Sequence, residues 1–316
     1  MLTLSSYIKI TDPSGSNYLE FDFVNEVVIE KSRKTLTNTA SITLARKLKV
    51  LNGDINQILK RKSKIEISLG YDGNLIKEFT GYISNVGAKI PLVISCQDEM
   101  WNLKQNSFTK AWKKVKVADV VKYVYPGATQ IIDLEIGGFV IKKQSTAQVL
   151  EGLKKFGLQC YFDQDVLVVD FGGSMRVKRK EVIYDFYQNI IENNLEYKVK
   201  DDSRIKVIAT SKLHTGKKLE ITLGDPDGDV HTLHYVNLDK SQLEKIATAE
   251  IETLKYEGYK GDYTTFGLPY IEPGDVGIMI DPEYPEHQGS YLVEAVKTTF
   301  STNGFRRSVV PERKVA

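Results

Sequence analysis

The chain has 316 residues, a length that allows two or three domains with sizeable hydrophobic cores. Hydrophobic residues make up 41% and charged residues 27%, the balance of an ordinary folded protein rather than a disordered chain. The formal net charge is only +2, which argues against nucleic-acid binding driven by bulk charge but leaves room for a local basic patch.

The sequence contains no candidate membrane span and no candidate signal peptide. No apolar run approaches the roughly 18 residues that a spanning helix needs, and the N-terminus has no basic segment followed by an apolar core. We therefore expect a protein made in the cytoplasm. The two cysteines, Cys96 and Cys160, lie beside strand-like apolar residues and are expected to be buried free thiols, although a disulfide stays open.

The first part of the chain, residues 1–100, predicts a β domain. Tyr7–Ile10 and Tyr18–Val24 flank a cluster of turn-forming residues, which indicates a hairpin. In Ala40–Leu44 the apolar residues alternate with Ser41 and Thr43, as they do in a half-buried strand. A short helix is predicted at Asn52–Lys62, with Asp54 as its cap.

Residues 101–185 predict a small α+β insert. Val117–Tyr125 has the apolar spacing of a short helix that ends before Pro126. Ser145 and Gln148 have the spacing of a capping box at the start of a second helix, and Gly157 stands where that helix should end. Two strands then follow. We expect this insert to serve as an interaction domain.

Strands return after residue 190, and a helix follows at about residues 239–256. Ser241 and Glu244 have capping-box spacing near the start of that helix. The predicted strands are Leu195–Val199, Ile205–Thr210, Leu219–Leu223 and Val230–Leu238.

The stretch Glu257–Val310 is punctuated by glycines and predicts a compact β-meander. Proline followed by Gly274 and Asp275 predicts a turn with a positive φ at the glycine, immediately before a strand. Asn303-Gly304 is a strong hairpin signal. The glycines are Gly258, Gly261, Gly267, Gly274, Gly277, Gly289 and Gly304.

The order of residues in this stretch resembles the late-control-protein-D type of phage tail protein, the baseplate hub of contractile-tailed phages and related injection systems. The resemblance is sharp only from residue 239 onward. The matching positions are Gly258, Tyr259, Gly261, Tyr263, Thr265, Phe266, Gly267, Pro269, Pro273, Gly274, Asp275, Gly289, Tyr291, Val293, Gly304, Phe305, Arg306 and Arg307.

The resemblance implies a mainly β (α+β) fold with two related β-barrel-like domains, at residues 1–100 and 186–316, that bracket the α+β insert at 101–185. It also implies a homotrimeric ring that joins a tail-tube protein to a central spike protein in the virion of a phage or prophage. The residues carried over as motif and assembly candidates are Gly261, Phe266, Gly267, Pro273, Gly274, Asp275, Gly289, Tyr291, Gly304, Arg306 and Arg307.

Adjacent strand residues face opposite sides of a sheet, so Arg306 and Arg307 should have different partners. We expect one arginine to pair with an internal carboxylate and the other to meet a neighbour or solvent. Three other basic clusters, at Lys60–Lys64, Lys110–Lys116 and Arg176–Lys180, are more typical of solvated faces than of partner sites, and a nucleic-acid interpretation would require clustering in space.

Catalytic and metal-binding patterns are not found. Asp225–Asp229 begins like a calcium loop, but Val230 and Val236 occupy the positions that need glycine and glutamate, so a hairpin turn is expected. His231 and His234 fall on opposite faces of a predicted strand and should not share a metal. No nucleophile elbow, phosphate loop or dinucleotide fingerprint occurs. The sequence therefore predicts a non-enzymatic hub without cofactor, with no specific nucleic-acid partner. The alternative is a carbohydrate- or peptidoglycan-binding β protein.

Overall fold

The computed structural model describes residues 2–44, 58–88, 90–163, 166–171, 179–200, 203–213 and 215–315. Most of the helix predicted at Asn52–Lys62, including its cap Asp54, lies outside these residues. So do His214 and most of the basic cluster at Arg176–Lys180.

The described part of the chain is mainly β, with a minor helical component, which confirms the predicted fold class. The strands, numbered β1 to β25 in chain order, are Leu4–Thr11, Tyr18–Phe21, Glu26–Ser32, Thr39–Leu44, Lys64–Tyr71, Asn74–Val86, Leu92–Gln97, Phe108–Trp112, Val115–Lys116, Thr129–Ile131, Glu135–Ile136, Phe139–Gln144, Gln159–Asp163, Val166–Asp170, Glu181–Asp185, Ile190–Asn193, Glu196–Lys198, Ile205–Lys212, Lys218–Gly224, Asp229–Val236, Gly258–Lys260, Tyr263–Phe266, Val276–Ile280, Gly289–Ser301 and Gly304–Lys314. The helices α1 to α4 are Met100–Leu103, Val117–Val124, Thr146–Leu153 and Lys240–Leu254, and 3-10 turns lie at Lys154–Phe156 and Pro285–His287.

The chain folds into two compact units that are interleaved in sequence. The first unit comprises residues 1–102, 180–195 and 261–311, and the second comprises 103–179, 196–260 and 312–316. The domains predicted from the sequence are consecutive segments, 1–100, 101–185 and 186–316. The structure groups the segments differently because strands from the two ends of the chain pair with each other in the first unit.

The first unit is built on one continuous sheet. Its strand order is β16-β22-β25-β24-β3-β4-β7-β6-β5-β1-β2, and β23 and β15 extend it from β24. The early and late strands meet at the antiparallel β24–β3 ladder, which runs from Ala295 opposite Ser32 to Ser301 opposite Glu26. The predicted N-terminal hairpin is confirmed as β1 paired with β2.

The core of the first unit is formed by the apolar residues of strands in which apolar and polar residues alternate, so that one face of each strand is buried. Ile8 and Ile10 on β1 lie opposite Ile67 and Ile65 on β5, and all four side chains are fully buried. The predicted inward face of Ala40–Leu44 is confirmed in the same way. Each aliphatic side chain removed from water stabilises the fold by about 1.5–3 kcal/mol, so this repeated pattern supplies the main driving force.

The predicted meander is confirmed for β23, β24 and β25, which pair in chain order, but it does not include β22. The strand β22 pairs with β25 and β16 instead of its sequence neighbour β23, and β23 pairs with β24 and β15. Turn chemistry identified the reversals but not the pairing order, because a strand can cross to a non-sequential neighbour. The predicted β24–β25 hairpin is present, with Thr302 and Asn303 as the turn and Gly304 opening the return strand.

The second unit contains several small sheets and three of the helices. In the largest sheet β18 is central, with antiparallel β19 on one side and parallel β20 on the other, and α4 packs on β18 and β19. The loop at Asp225–Asp229 therefore joins two strands that flank β18, and the predicted hairpin there is wrong. The other sheets are β10-β14-β13, β9 with β11, β8 with β12, and β17 with β21.

Capping residues begin two of these helices. Ser145 and Gln148 form the predicted capping box of α3, and Gly157 takes a left-handed φ of 76° after the following 3-10 turn. For α4 the predicted box at Ser241 and Glu244 is wrong. The cap is Asp239, whose side chain accepts from the Gln242 amide while the Gln242 side chain accepts from the Asp239 amide at 2.9 Å each. Both pairs have the same spacing, so the sequence alone did not decide between them.

The structure has no helix, among the residues it describes, that combines the length and the apolar character needed to cross a membrane. Both cysteines are buried free thiols, as expected: Cys96 lies in the first unit and Cys160 in the second. Burial raises the pKa of each thiol to about 12.

We predict that neither thiol of the native protein reacts with a thiol reagent at pH 8, because burial blocks access and disfavours the thiolate. Cys96→Ala and Cys160→Ala each leave one thiol, so the labelling rate in rising denaturant measures the opening of one unit at a time. Rapid, complete labelling of either variant without denaturant would contradict the burial described here. A fully unfolded sample of each variant, which should label at once, is the control.

Candidate functional site

Arg307 on β25 and Glu78 on β6 form an ion pair in the interior of the first unit. Each side chain is only 1% exposed. Arg307 Nη1 donates to Glu78 Oε2 at 3.1 Å and to Thr298 Oγ1 at 2.8 Å, and Nη2 donates to Glu78 Oε1. Arg307 Nε donates to the Gly267 carbonyl at 2.7 Å. The guanidinium thus has partners for its charge and for its hydrogen-bond donors, which a buried arginine requires.

Local strand structure explains why these two charged side chains point inward. On β25 the alternation buries Phe305, Arg307 and Val309. On β6 the ladder to β5 skips a residue, because Ile67 pairs with Phe79 and Ser68 pairs with Lys77. Glu78 is the extra residue of this bulge, and the bulge turns its side chain to the buried side beside Phe79.

Arg306 has the opposite orientation from Arg307. Its guanidinium lies 5.2 Å from the centroid of the Phe266 ring and donates to the Phe305 carbonyl at 3.0 Å. Phe266 is 43% exposed. The structure confirms that one of the two adjacent arginines pairs with an internal carboxylate, while the other stays on the outer face. Arg306 and Phe266 together form the outer pair of this site.

The turn from Glu272 to Asp275 is fixed by its glycine and its aspartate. Gly274 has a φ of 90°, as the sequence predicted, and its amide donates to the Val293 carbonyl at 2.7 Å. Asp275 is 3% exposed, and its carboxylate accepts from the amides of Glu272 at 2.9 Å and Lys180 at 3.0 Å. Because its buried carboxylate accepts from both amides, Asp275 fixes the turn and also fixes the backbone at Lys180, just before β15.

Tyr270 connects this turn to the buried arginine. The Arg307 guanidinium lies 4.9 Å from the Tyr270 ring centroid, and the Tyr270 hydroxyl donates to Glu272. Glu272 also pairs with Lys31 at 2.6 Å. Burial raises the pKa of the Tyr270 hydroxyl, and the Glu272 carboxylate adds to the effect. The raised pKa keeps the hydroxyl protonated at neutral pH, where it donates to Glu272.

The remaining motif candidates lie near strand ends or where the backbone packs closely against a neighbouring side chain. A side chain at Gly267 would come within 2.1 Å of the Phe305 ring, so only glycine allows this backbone to reach Arg307. Tyr291 is fully buried and its hydroxyl donates to the His287 carbonyl. Gly261, Gly289 and Gly304 stand at or beside the starts of β22, β24 and β25, and Pro273 precedes Gly274 in the turn.

Sequence reasoning missed Glu78, the partner of Arg307. It lies 229 residues earlier in the chain. One signal was available: Glu78 and Phe79 interrupt the alternation of exposed and apolar positions along β6, as a bulge does. Lys31, Tyr270 and Glu272 were not identified either.

Among the described residues, no group of three or more histidine, cysteine or acidic side chains is placed to hold a metal ion. His231 and His234 lie opposite Val207 and Thr210 on β18 and point to different faces, as predicted. In the loop that resembles a calcium site, Asp225 instead accepts from Lys255 Nζ at 2.7 Å and from the Ile205 amide at 3.1 Å. The Lys255 bond, followed by the amide bond, lowers the pKa of Asp225.

Comparison with known proteins identifies the fold. No family model matches the chain, and no curated protein matches its sequence. A tail protein from Neisseria meningitidis superposes with a TM-score of 0.71 at 17% identity, over 98% of this chain and 97% of that chain. The 43 kDa tail protein of prophage MuSo2 from Shewanella oneidensis gives 0.68 at 14% identity, over 98% of both chains.

A third similar structure comes from Escherichia coli. It is a component of the type VI secretion system and is described as similar in structure to the bacteriophage tail proteins gp27 and gp5. Its TM-score is 0.56 at 10% identity, over 93% of this chain and 74% of that chain. The chain therefore has the fold of phage tail proteins and their relatives in bacterial injection systems.

We predict that Arg307→Ala destabilises the protein by about 3–5 kcal/mol, because Glu78 would remain buried without its counter-charge. Arg306→Ala should cost only about 0.5–1 kcal/mol, the value of an exposed cation–π contact. Denaturant unfolding of both variants measures the difference. The double variant Glu78→Leu/Arg307→Met should be more stable than Arg307→Ala, because it removes both charges. Equal losses for the two single variants would disprove the assigned orientations.

We predict that Gly274→Ala destabilises the first unit by about 1–3 kcal/mol, since alanine must adopt a left-handed φ there. Gly152→Ala is the matched control, because Gly152 lies inside α3 and the added methyl group would meet only Phe139 at 3.9 Å. In a helix interior this change should stabilise by about 0.5–1 kcal/mol. Thermal melts that show no difference between the two variants would rule out the strain at Gly274.

Proposed function

We propose that this protein is a structural component of a phage tail or of a phage-derived injection machine. The observation that carries the proposal is the shared fold: both tail proteins match over nearly their whole length and nearly the whole of this chain. At 17% and 14% identity the comparison concerns fold, and the functional step is our inference from it.

Within such a tail we propose the position of baseplate hub, a trimeric ring that joins the tail tube to the central spike. Two observations support this position. The motif residues from Gly261 to Arg307 occur in the order typical of late-control-protein-D hubs. The similar Escherichia coli structure is itself a secretion-system component described as like two tail proteins. The corresponding location is the tail baseplate of a virion or prophage product, and the role is structural without catalysis.

The site geometry is suited to such a ring. A ring of identical subunits needs two different complementary surfaces on each chain, held in a fixed relation. The Arg307–Glu78 pair and the Glu272–Asp275 turn fix β25, β6 and β24 within one unit. Arg306 on β25 and Phe266, which lies opposite it on β22, are on the outer face of the same sheet. We propose that the buried set gives rigidity and the outer pair contacts a neighbouring subunit.

We predict a solution mass of three times the 35.7 kDa of one chain, measured by light scattering alone and with the matching tail-tube protein. Phe266→Ala/Arg306→Ala should shift the mass toward the monomer without lowering the melting temperature by more than a few degrees. Phe23→Ala is the control, because Phe23 is 42% exposed and Phe266 is 43% exposed in the same unit. The control variant should keep the mass of the wild type.

A chain that stays monomeric at high concentration with and without tail-tube protein would contradict the hub proposal. If that monomer bound peptidoglycan fragments, the alternative of a carbohydrate-binding protein would replace the hub proposal. Loss of the trimer in the Phe23 variant as well would remove the specific role given to the outer pair.

A further inference from the structure

The strand β15 lies at an end of the sheet in the first unit, since β23 is its only partner among the strands that the structure describes. At the two ends of β15, the Lys180 carbonyl accepts from β23 at 2.9 Å and the Phe186 amide donates to β23 at 3.1 Å. Backbone groups alternate in direction along a strand, so those of Glu181, Ile183 and Asp185 point away from β23. These groups form the free edge of β15.

The side chain of Asn189 bonds to this edge. Its Nδ2 donates to the Ile183 carbonyl at 3.0 Å, and its Oδ1 accepts from the Asp185 amide at 2.9 Å. In a parallel ladder, one residue of the neighbouring strand makes the same pair of bonds, because its amide donates to one residue and its carbonyl accepts from the residue two positions further on. A side-chain carboxamide has the donor and the acceptor that this requires. Asn189 therefore takes the place of one residue of a neighbouring strand.

The turn between β15 and β16 brings Asn189 back to that edge. The amides of Gln188 and Asn189 both donate to the Asp185 carbonyl at 3.1 Å, and the Asp185 carboxylate accepts from the Tyr187 amide at 2.8 Å. The Asn189 carbonyl accepts from Thr265 Oγ1 on β22 at 2.6 Å. Asn189 thus bonds to the first and the last strand of the series β15-β23-β24-β25-β22 and closes that series on itself.

The edge that Asn189 covers has the features of a site for strand addition. Its charged residues, Glu181 and Asp185, stand at the two ends of β15, and Ile183 between them is 56% exposed. Lysine, proline and bulges are the usual features that block a sheet edge. The sequence of β15 contains neither lysine nor proline, and its register with β23 is unbroken. The strand itself therefore does little to prevent pairing.

We propose that Asn189 is an edge lock: its carboxamide closes the strand series and prevents β15 from pairing with a strand of a second copy of this chain. A second copy is the partner that the lock excludes, because every copy carries the same edge and like chains aggregate by edge-to-edge pairing. The proposal does not rest on the hub function, since it concerns an edge that each folded chain carries.

The first test measures amide hydrogen exchange of single residues in the wild-type chain. The Phe186 amide, which is bonded to β23, should exchange slowly, and the Asp185 amide should be protected to within about tenfold of it. The Ile183 amide points to the same edge and has no partner among the residues that the structure describes, so it should exchange fast. Exchange of the Asp185 amide as fast as that of Ile183 would overturn the proposal.

The second test removes the carboxamide. In Asn189→Ala the Asp185 amide should exchange about tenfold faster, which corresponds to the loss of one hydrogen bond, while the Phe186 amide keeps its protection. Asn193→Ala is the matched control, because Asn193 is an exposed asparagine on β16 whose side chain bonds to no described residue. The control should leave both amides unchanged. Equal acceleration of Asp185 exchange in the two variants would contradict the lock.

Light scattering tests the exclusion of a second copy. Asn189→Ala should form heavier species than the wild type at the same concentration, and the added mass should grow with concentration. Ile183→Lys/Asn189→Ala should return to the wild-type mass but keep the fast exchange of Asp185, because lysine blocks an edge without restoring the two bonds. An unchanged mass for Asn189→Ala, or association that Ile183→Lys does not remove, would overturn the proposal. Each comparison is with the wild type, so the outcome does not depend on whether the wild type is a trimer.

Discussion

The structure of the first unit depends on one buried charge pair, Glu78 with Arg307. Moving two charges out of water is costly, and the cost is offset only when each charge meets its counterpart and the remaining donors find acceptors. Arg307 meets these conditions through the Gly267 carbonyl and the Thr298 hydroxyl as well as the Glu78 carboxylate. Every strand that supplies a partner must therefore take one register. In any other register one of the two charges would stay buried without its counterpart, which is strongly destabilising.

Several other features of the site follow from that requirement. The Gly267 backbone must approach the Phe305 ring so closely that no side chain fits, and β6 must bulge so that Glu78 faces inward. Tyr270 and Glu272 extend the same set of contacts to Lys31 on β3. The polar interior is thus one connected network, and the alternation of β25 leaves Arg306 free to present its charge outward.

Local signals in the sequence were sufficient for much of the fold. The alternation in Ala40–Leu44, the capping box of α3 and the positive φ of Gly274 depend on near neighbours, and all three were predicted. Pairings between distant segments were not predicted, including β24 with β3 and β22 with β25. Glu78 was missed for the same reason: the interrupted alternation at Glu78 and Phe79 indicates a bulge, but nothing nearby in the sequence indicates the remote partner Arg307.

The interleaving of the two units has a consequence for the order in which the protein is made. The strand β3 leaves the ribosome long before β24, so the ladder between them closes only when synthesis is nearly finished. A nascent chain that stops before Arg307 contains Glu78 without its counter-charge and lacks part of the sheet. Such a product does not reach the native first unit. A chain that ends early therefore cannot close the β24–β3 ladder, and its N-terminal strands keep an open sheet edge.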